Sequence, residues 1–101
     1  MDSQGFQIDG QQLRFTGAVN LASVPALHAA CLPLAGPKGL TVDFSTAGAV
    51  DSSALALLID LRRAVEQAGG AFTVAHPPQA LKTLAALYGV GFLVDNTKPN
   101  V

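Results

Sequence analysis

The segment "GLTVDFSTAGAVDSSALALLIDLRRAVEQAGGAFTVA" sets two β-rich runs on either side of one long amphipathic helix. Strand, helix and strand in succession require a crossover, so the two strands lie parallel in one sheet with the helix packed against it. Upstream, "FQI" and "LRF" flank the Asp-Gly turn signal in "DGQQ". That spacing predicts a hairpin with Phe6, Ile8, Leu13 and Phe15 on one face and Gln7 and Arg14 on the other. In "NLASVPALHAACLPLAG", Ser23 is placed to cap a helix with Pro25 in its first turn and Pro33 or Gly36 ending it. Leu21, Val24, Leu27, His28, Cys31 and Leu32 recur there at helical spacing.

The central helix is expected from about Ser52 to Ala68, stopped by Gly69-Gly70. "AFTVA" reads as a strand, and Pro78 opens a third helix that Gly89 ends. "FLVDNTKPNV" is expected to add one short strand before a frayed tail from about residue 95. The expected architecture is a single α/β domain over residues 1–101: a mixed sheet of four or five strands with helices packed on it.

Composition narrows the function classes. Half of the residues are apolar and 13% are charged, which excludes a disordered chain. The formal net charge of −1 supplies no basic stripe for a phosphate backbone, so no nucleic-acid partner is expected. The apolar run "ALALLI" falls far short of the roughly 18 residues of a membrane span, so no membrane insertion is expected. The start "MDSQGFQIDG" lacks a basic and an apolar region of a secretion signal, and Cys31 is the only cysteine. Both point to the cytoplasm.

The crowding of Asp51, Ser52 and Ser53 at one helix start is the first functional clue. An acid there satisfies free backbone N–H groups and the positive end of the helix dipole, so Asp51 reads as the N-cap. The helical wheel gathers Ala54, Leu57, Leu58, Leu61, Val65 and Ala68 into a core face. Leu55 and Ile59 fall outside that arc, beside Ser52, Arg62, Arg63 and Glu66. Two large aliphatics next to a hydroxyl-lined helix start read either as a docking stripe or as a second packing contact within the domain.

"LTVDFSTAGAVDSSALALLIDL" resembles the signature of STAS domains, the sulfate-transporter and anti-sigma-factor-antagonist family. The hairpin, "GAVNLASVPAL" and the Gly-Gly before "FTVA" fall in that family's order, and Ala54 stands where glycine is usual. The resemblance implies a STAS-like fold and one of two roles. In anti-sigma-factor antagonists a partner serine kinase phosphorylates the second hydroxyl of the motif, here Ser53. In the small STAS subunit of the Mla-type phospholipid transporter, the hydroxyl next to the aspartate matters, here Ser52. That subunit binds the cytoplasmic ABC ATPase, and through it the membrane permease, and supports assembly and activity.

"TLAALYGV" and "ALALLIDL" are similar to the third and second helices of the transporter subunit. The expectation is therefore a non-catalytic subunit at the cytoplasmic side of the inner membrane, serving phospholipid transport and outer-membrane lipid asymmetry. Its partner-binding residues would be Ser52, Leu55, Ile59 and Arg62, with Ser53 or Ser52 open to phosphorylation. Asp51 and Asp43 would orient the loop, although Asp43 also reads as a strand-end acid reaching solvent.

No catalytic residue, cofactor or metal site is expected. The serines open a helix with no histidine near in sequence, and neither a G-x-S-x-G elbow nor a phosphate-binding G-x-x-x-x-G-K-[ST] loop is present. His28 and His76 have no ligand-type neighbours at metal spacing, so structural or solvated roles are expected. Cys31 reads as a small core residue, and Tyr88 as a contact aromatic or a cover for the core.

Overall fold

The structure is a computed structural model that describes residues 5–94. β1 (Phe6–Asp9) and β2 (Gln12–Phe15) form the expected hairpin, antiparallel, with Phe6 opposite Phe15 and Ile8 opposite Leu13. α1 (Val24–Cys31) crosses over to β3 (Leu40–Asp43), which pairs with β2 in parallel. α2 (Ser53–Gln67) crosses over to β4 (Phe72–Ala75), again parallel. The sheet runs β1-β2-β3-β4, and α3 (Gln79–Leu87) follows β4. It is a four-stranded mixed sheet with three helices, an α/β fold.

Alternation along the strands decides which face is covered. Leu13, Phe15, Leu40, Val42 and Val74 are buried together with Leu57, Leu58, Leu61 and Val65 of α2, while Gln12 and Arg14 of β2 point to the exposed face. Phe15 meets Phe44 edge to face at 5.1 Å, tying the ends of β2 and β3. Ala54 is fully buried, so its methyl group is part of this core.

Several expectations need correction. α1 ends at Cys31, ahead of Pro33, and a 3-10 turn (Leu32–Leu34) follows, which leaves Leu32 exposed. Leu21 precedes the helix and is 75% exposed, so it is no part of the α1 core face. Ser23 occupies the N-cap position but does not cap with its side chain; Asn20 Oδ1 accepts the Ala22 and Ser23 N–H groups instead. Ile8 is half exposed on the edge strand, and Ala68, past the last turn of α2, faces solvent. Phe92 and Leu93 lie in a 3-10 turn (Gly91–Leu93) and not in a strand. The expected fraying from residue 95 lies outside the described residues.

Candidate functional site

Two loops leave the carboxyl ends of β2 and β3 side by side. Gly48 N–H donates to Gly17 O at 2.9 Å, Val19 N–H to Ala49 O at 2.9 Å and Asp51 N–H to Val19 O at 3.3 Å. Val19 and Val50 form a parallel bridge, so the ladder between the two strands continues into the loops. The approach is close: a Cβ on Gly48 would come within 3.1 Å of the Ala18 nitrogen. Topology thus delivers the start of α2 to a fixed place above the sheet edge.

Asp51 locks that place. Its Oδ2 accepts the Leu21 N–H at 3.0 Å, and its Oδ1 accepts the Ser53 N–H at 2.9 Å and the Ser53 hydroxyl. The Ser53 hydroxyl, followed by the Leu21 N–H, holds the carboxyl below the usual aspartate range. The expected N-cap shifts by one residue, since Ser52 takes that position and Asp51 precedes it. Asp51 still satisfies a free N–H of the first turn, and in addition clamps a loop 30 residues away. Ser52 is exposed, and its hydroxyl makes no hydrogen bond among the described residues. The two serines therefore differ: Ser53 is tied down, Ser52 is open.

The expected stripe changes in one member. Leu55 is 4% exposed and belongs to the core, because α3 and the turn after it cover a second side of α2. Ile59 is half-buried on the same side. Leu55 and Ile59 form the floor of a shallow groove of about 420 Å³, with Ser52 and exposed Ala56 on the α2 side and Tyr88 and Val90 opposite. Leu87 and Tyr88 stand 74% and 59% exposed at the end of α3.

Ile59 is shared with a second groove lined by Arg62, Arg63, Phe92 and Leu93. Arg62 is already engaged there, with Nε 3.2 Å from Glu66 Oε2 and its guanidinium 4.8 Å from the Phe92 ring centre. Arg63 is exposed and makes no ion pair among the described residues. Ala56, Val90 and Phe92 were not singled out from the sequence. Ala56 had a readable signal, since it sits four residues after Ser52 on the same helix face.

Asp43 ends β3 and is 8% exposed. Burial pushes its carboxyl up, but the Ser45 N–H at 2.9 Å, the Ser45 hydroxyl at 3.1 Å and the His76 ring at 3.2 Å together bring it below the usual range. Arg14 Nε adds a longer contact at 3.5 Å. Asp43 thus fixes Ser45, near the start of the loop that carries Asp51. Asp43 takes both Ser45 and His76, so this serine is hydrogen-bonded to the carboxylate and not to the imidazole.

His28 reaches Asp60 at 3.1 Å and links α1 to α2. Burial pushes the Cys31 thiol up to about 11, which makes it a poor nucleophile. Among the described residues no group of three His, Cys, Asp or Glu side chains is placed to hold a metal ion, and no helix is long and apolar enough to cross a membrane.

The family model described as "Mlab, STAS domain" matches residues 4–95. The chain belongs to the STAS domain family. Among solved structures it is similar to the anti-sigma factor antagonist SpoIIAA in its unphosphorylated form, with a TM-score of 0.72 at 17% identity over 92% of this chain and 88% of that one. It is also similar to a Thermotoga maritima protein assigned as an anti-sigma factor antagonist, with a TM-score of 0.71 at 14% identity over 89% and 81% of the two chains. At these identities the likeness is one of fold. No curated protein matches the sequence.

Proposed function

We propose that this STAS domain is a non-catalytic subunit that docks on the ATPase of an ABC-type phospholipid transporter and supports its assembly and activity. In a cell it would sit in the cytoplasm, held at the inner membrane through that complex, and serve outer-membrane lipid asymmetry. The observation that carries the reading is the free Ser52 hydroxyl at the head of an exposed apolar groove between α2 and α3. The Mlab description of the family model supports the transporter branch. A neutral hydroxyl beside Ala56, Ile59 and Tyr88 suits a protein contact that excludes water. Arg62 stacks on Phe92 in the neighbouring groove, which shares Ile59, and Leu55 supports the floor from beneath.

The test is co-purification with the transporter ATPase. Ala56→Glu places a charge on an exposed position and should abolish recovery of the ATPase while the circular dichroism and melting temperature stay near wild type. Equal recovery by this folded variant would overturn the docking face.

The second reading is an anti-sigma-factor antagonist, favoured by the fold shared with SpoIIAA. It requires a kinase to take the Ser53 hydroxyl from Asp51, and the phosphate would then stand beside that carboxylate at a helix N-terminus. Phosphate on Ser53, found by mass spectrometry together with a serine kinase or sigma-factor regulator in the purified complex, would select this reading.

A further inference from the structure

We infer that His76 is both the hinge and the latch of α3: its contact with Asp43 holds the helix in place, and its release lets α3 pivot and change the width of the groove against α2. The ladder between β3 and β4 ends where the Phe44 N–H donates to Ala75 O at 3.0 Å. Beyond it His76, Pro77 and Pro78 lead to α3, which starts at Gln79. Both prolines have a fixed φ, and Pro77 is held extended by the proline after it. Pro78 is itself extended, at φ −69 and ψ 157. His76 is therefore the joint of this connection whose φ is open to change.

That joint is loaded. Among the described residues His76 is the one non-glycine residue with a positive φ, at +54. A residue ahead of proline ordinarily takes the extended region, and a side chain disfavours the left-handed one. The imidazole holds it there, with Nδ1 3.2 Å from Asp43 Oδ1. The start of α3 adds little hold of its own. It has no side-chain cap, and the helix buries Leu81 and Ala85 where α2 buries six residues.

Asp43 can release the imidazole at low cost. Its carboxylate also accepts the Ser45 N–H at 2.9 Å and the Ser45 hydroxyl at 3.1 Å, and Arg14 Nε stands 3.5 Å from Oδ2. A small shift makes Arg14 the close cation, so departure of His76 leaves no bare charge behind. The His76 side chain is 70% exposed and meets water at once. The bond lost on opening is offset by the backbone strain relieved, which gives the two closely balanced arrangements that a switch requires. A pivot at Gln79 is magnified at Tyr88, about 14 Å away along the helix axis, where the end of α3 forms a wall of the groove with Val90. The device is independent of the partner that the groove takes.

The experiment compares the full-length wild type with His76→Gly, His76→Ala and Arg14→Ala by amide hydrogen exchange at one pH, thermal melting and tyrosine fluorescence anisotropy. The chain has no tryptophan and one tyrosine, so the fluorescence reports the end of α3 alone. Both His76 variants should speed exchange in residues 81–88 about five-fold or more beyond any change at Val42 and Leu58, and lower the Tyr88 anisotropy. His76→Gly should melt above His76→Ala, because glycine takes the left-handed φ without strain. Arg14→Ala should leave α3 exchange at or below the wild-type rate, since the imidazole then has no stand-in.

Wild-type exchange of α3 in His76→Gly would overturn the latch. Equal acceleration at Val42, Leu58 and α3 would do the same, because the contact would then serve the global fold alone. A melting temperature of His76→Ala at or above that of His76→Gly would show that the joint stores no strain and would overturn the hinge.

Discussion

Asp43 is a charged side chain in a place that usually excludes charge, and its partners explain why it is tolerated. A buried carboxylate is costly unless hydrogen-bonded, and Ser45 and His76 supply three donors between them. Because its carboxyl is held below the usual range, the folded state favours the ionised form. The stabilisation is complete above the unfolded carboxyl value of about 4 and is lost as pH falls through the lower folded value. Wild type should therefore lose melting temperature below about pH 4 more steeply than Asp43→Asn, and the two curves should converge at the acid end. Parallel slopes would mean that the Ser45 and His76 contacts contribute nothing. The sequence allowed Asp43 as a loop-orienting residue or as a strand-end acid in solvent. His76, the partner that removes it from solvent, lies 33 residues away, just past the end of β4, and is adjacent only through parallel pairing.

At the scale of the element, α2 shows what a helical wheel contains and what it omits. Ala54, Leu57, Leu58, Leu61 and Val65 are buried as their spacing requires, because that face depends on the sheet below. Leu55 fails the same test because its burial comes from α3 and the turn through Val90, which return to α2 from the far end of the chain. Periodicity within one helix cannot register a second neighbour. The consequence is measurable: Leu55→Ala should cost about 2–5 kcal/mol in urea unfolding, the range of a truncated core leucine. Ala56→Gln, one position along, should stay within about 0.5 kcal/mol. If Leu55→Ala were as mild as Ala56→Gln, Leu55 would belong to the docking stripe after all. The start of the helix was legible for a different reason. A cap is a local matter, so Asp51 was found within one residue of its place, while its second bond to Leu21 depended on two loops meeting.

Across the whole molecule, the sheet separates the end that carries the candidate site from a structural one. The carboxyl ends of the strands carry Asp43, Asp51 and the head of α2, whereas the amino ends of β3 and β4 meet at glycines. In the sequence Gly69-Gly70 is a helix stop, and Gly69 fulfils that role at φ +93. Gly70 has a second role visible only in three dimensions. A Cβ there would come within 2.5 Å of the Gly36 carbonyl oxygen and 2.7 Å of the Gly39 nitrogen, both of them backbone atoms that cannot swing away. The turn before β3 and the turn before β4 are thus packed backbone to backbone, next to the Leu40 N–H bond to Ala71 O at 3.0 Å. Gly70→Ala forces one of the two turns to move and should cost about 1–3 kcal/mol, the usual range for overpacking. For a domain of this size that corresponds to a fall of about 4–8 °C in melting temperature per kcal/mol. The groove proposed as the docking face begins at the other end of the strands, so on that proposal the folded fraction of Gly70→Ala should bind the ATPase with wild-type affinity. A melting temperature unchanged by Gly70→Ala would show that the glycine junction yields freely. A weakened affinity at full folding would show that the two ends of the sheet are mechanically coupled.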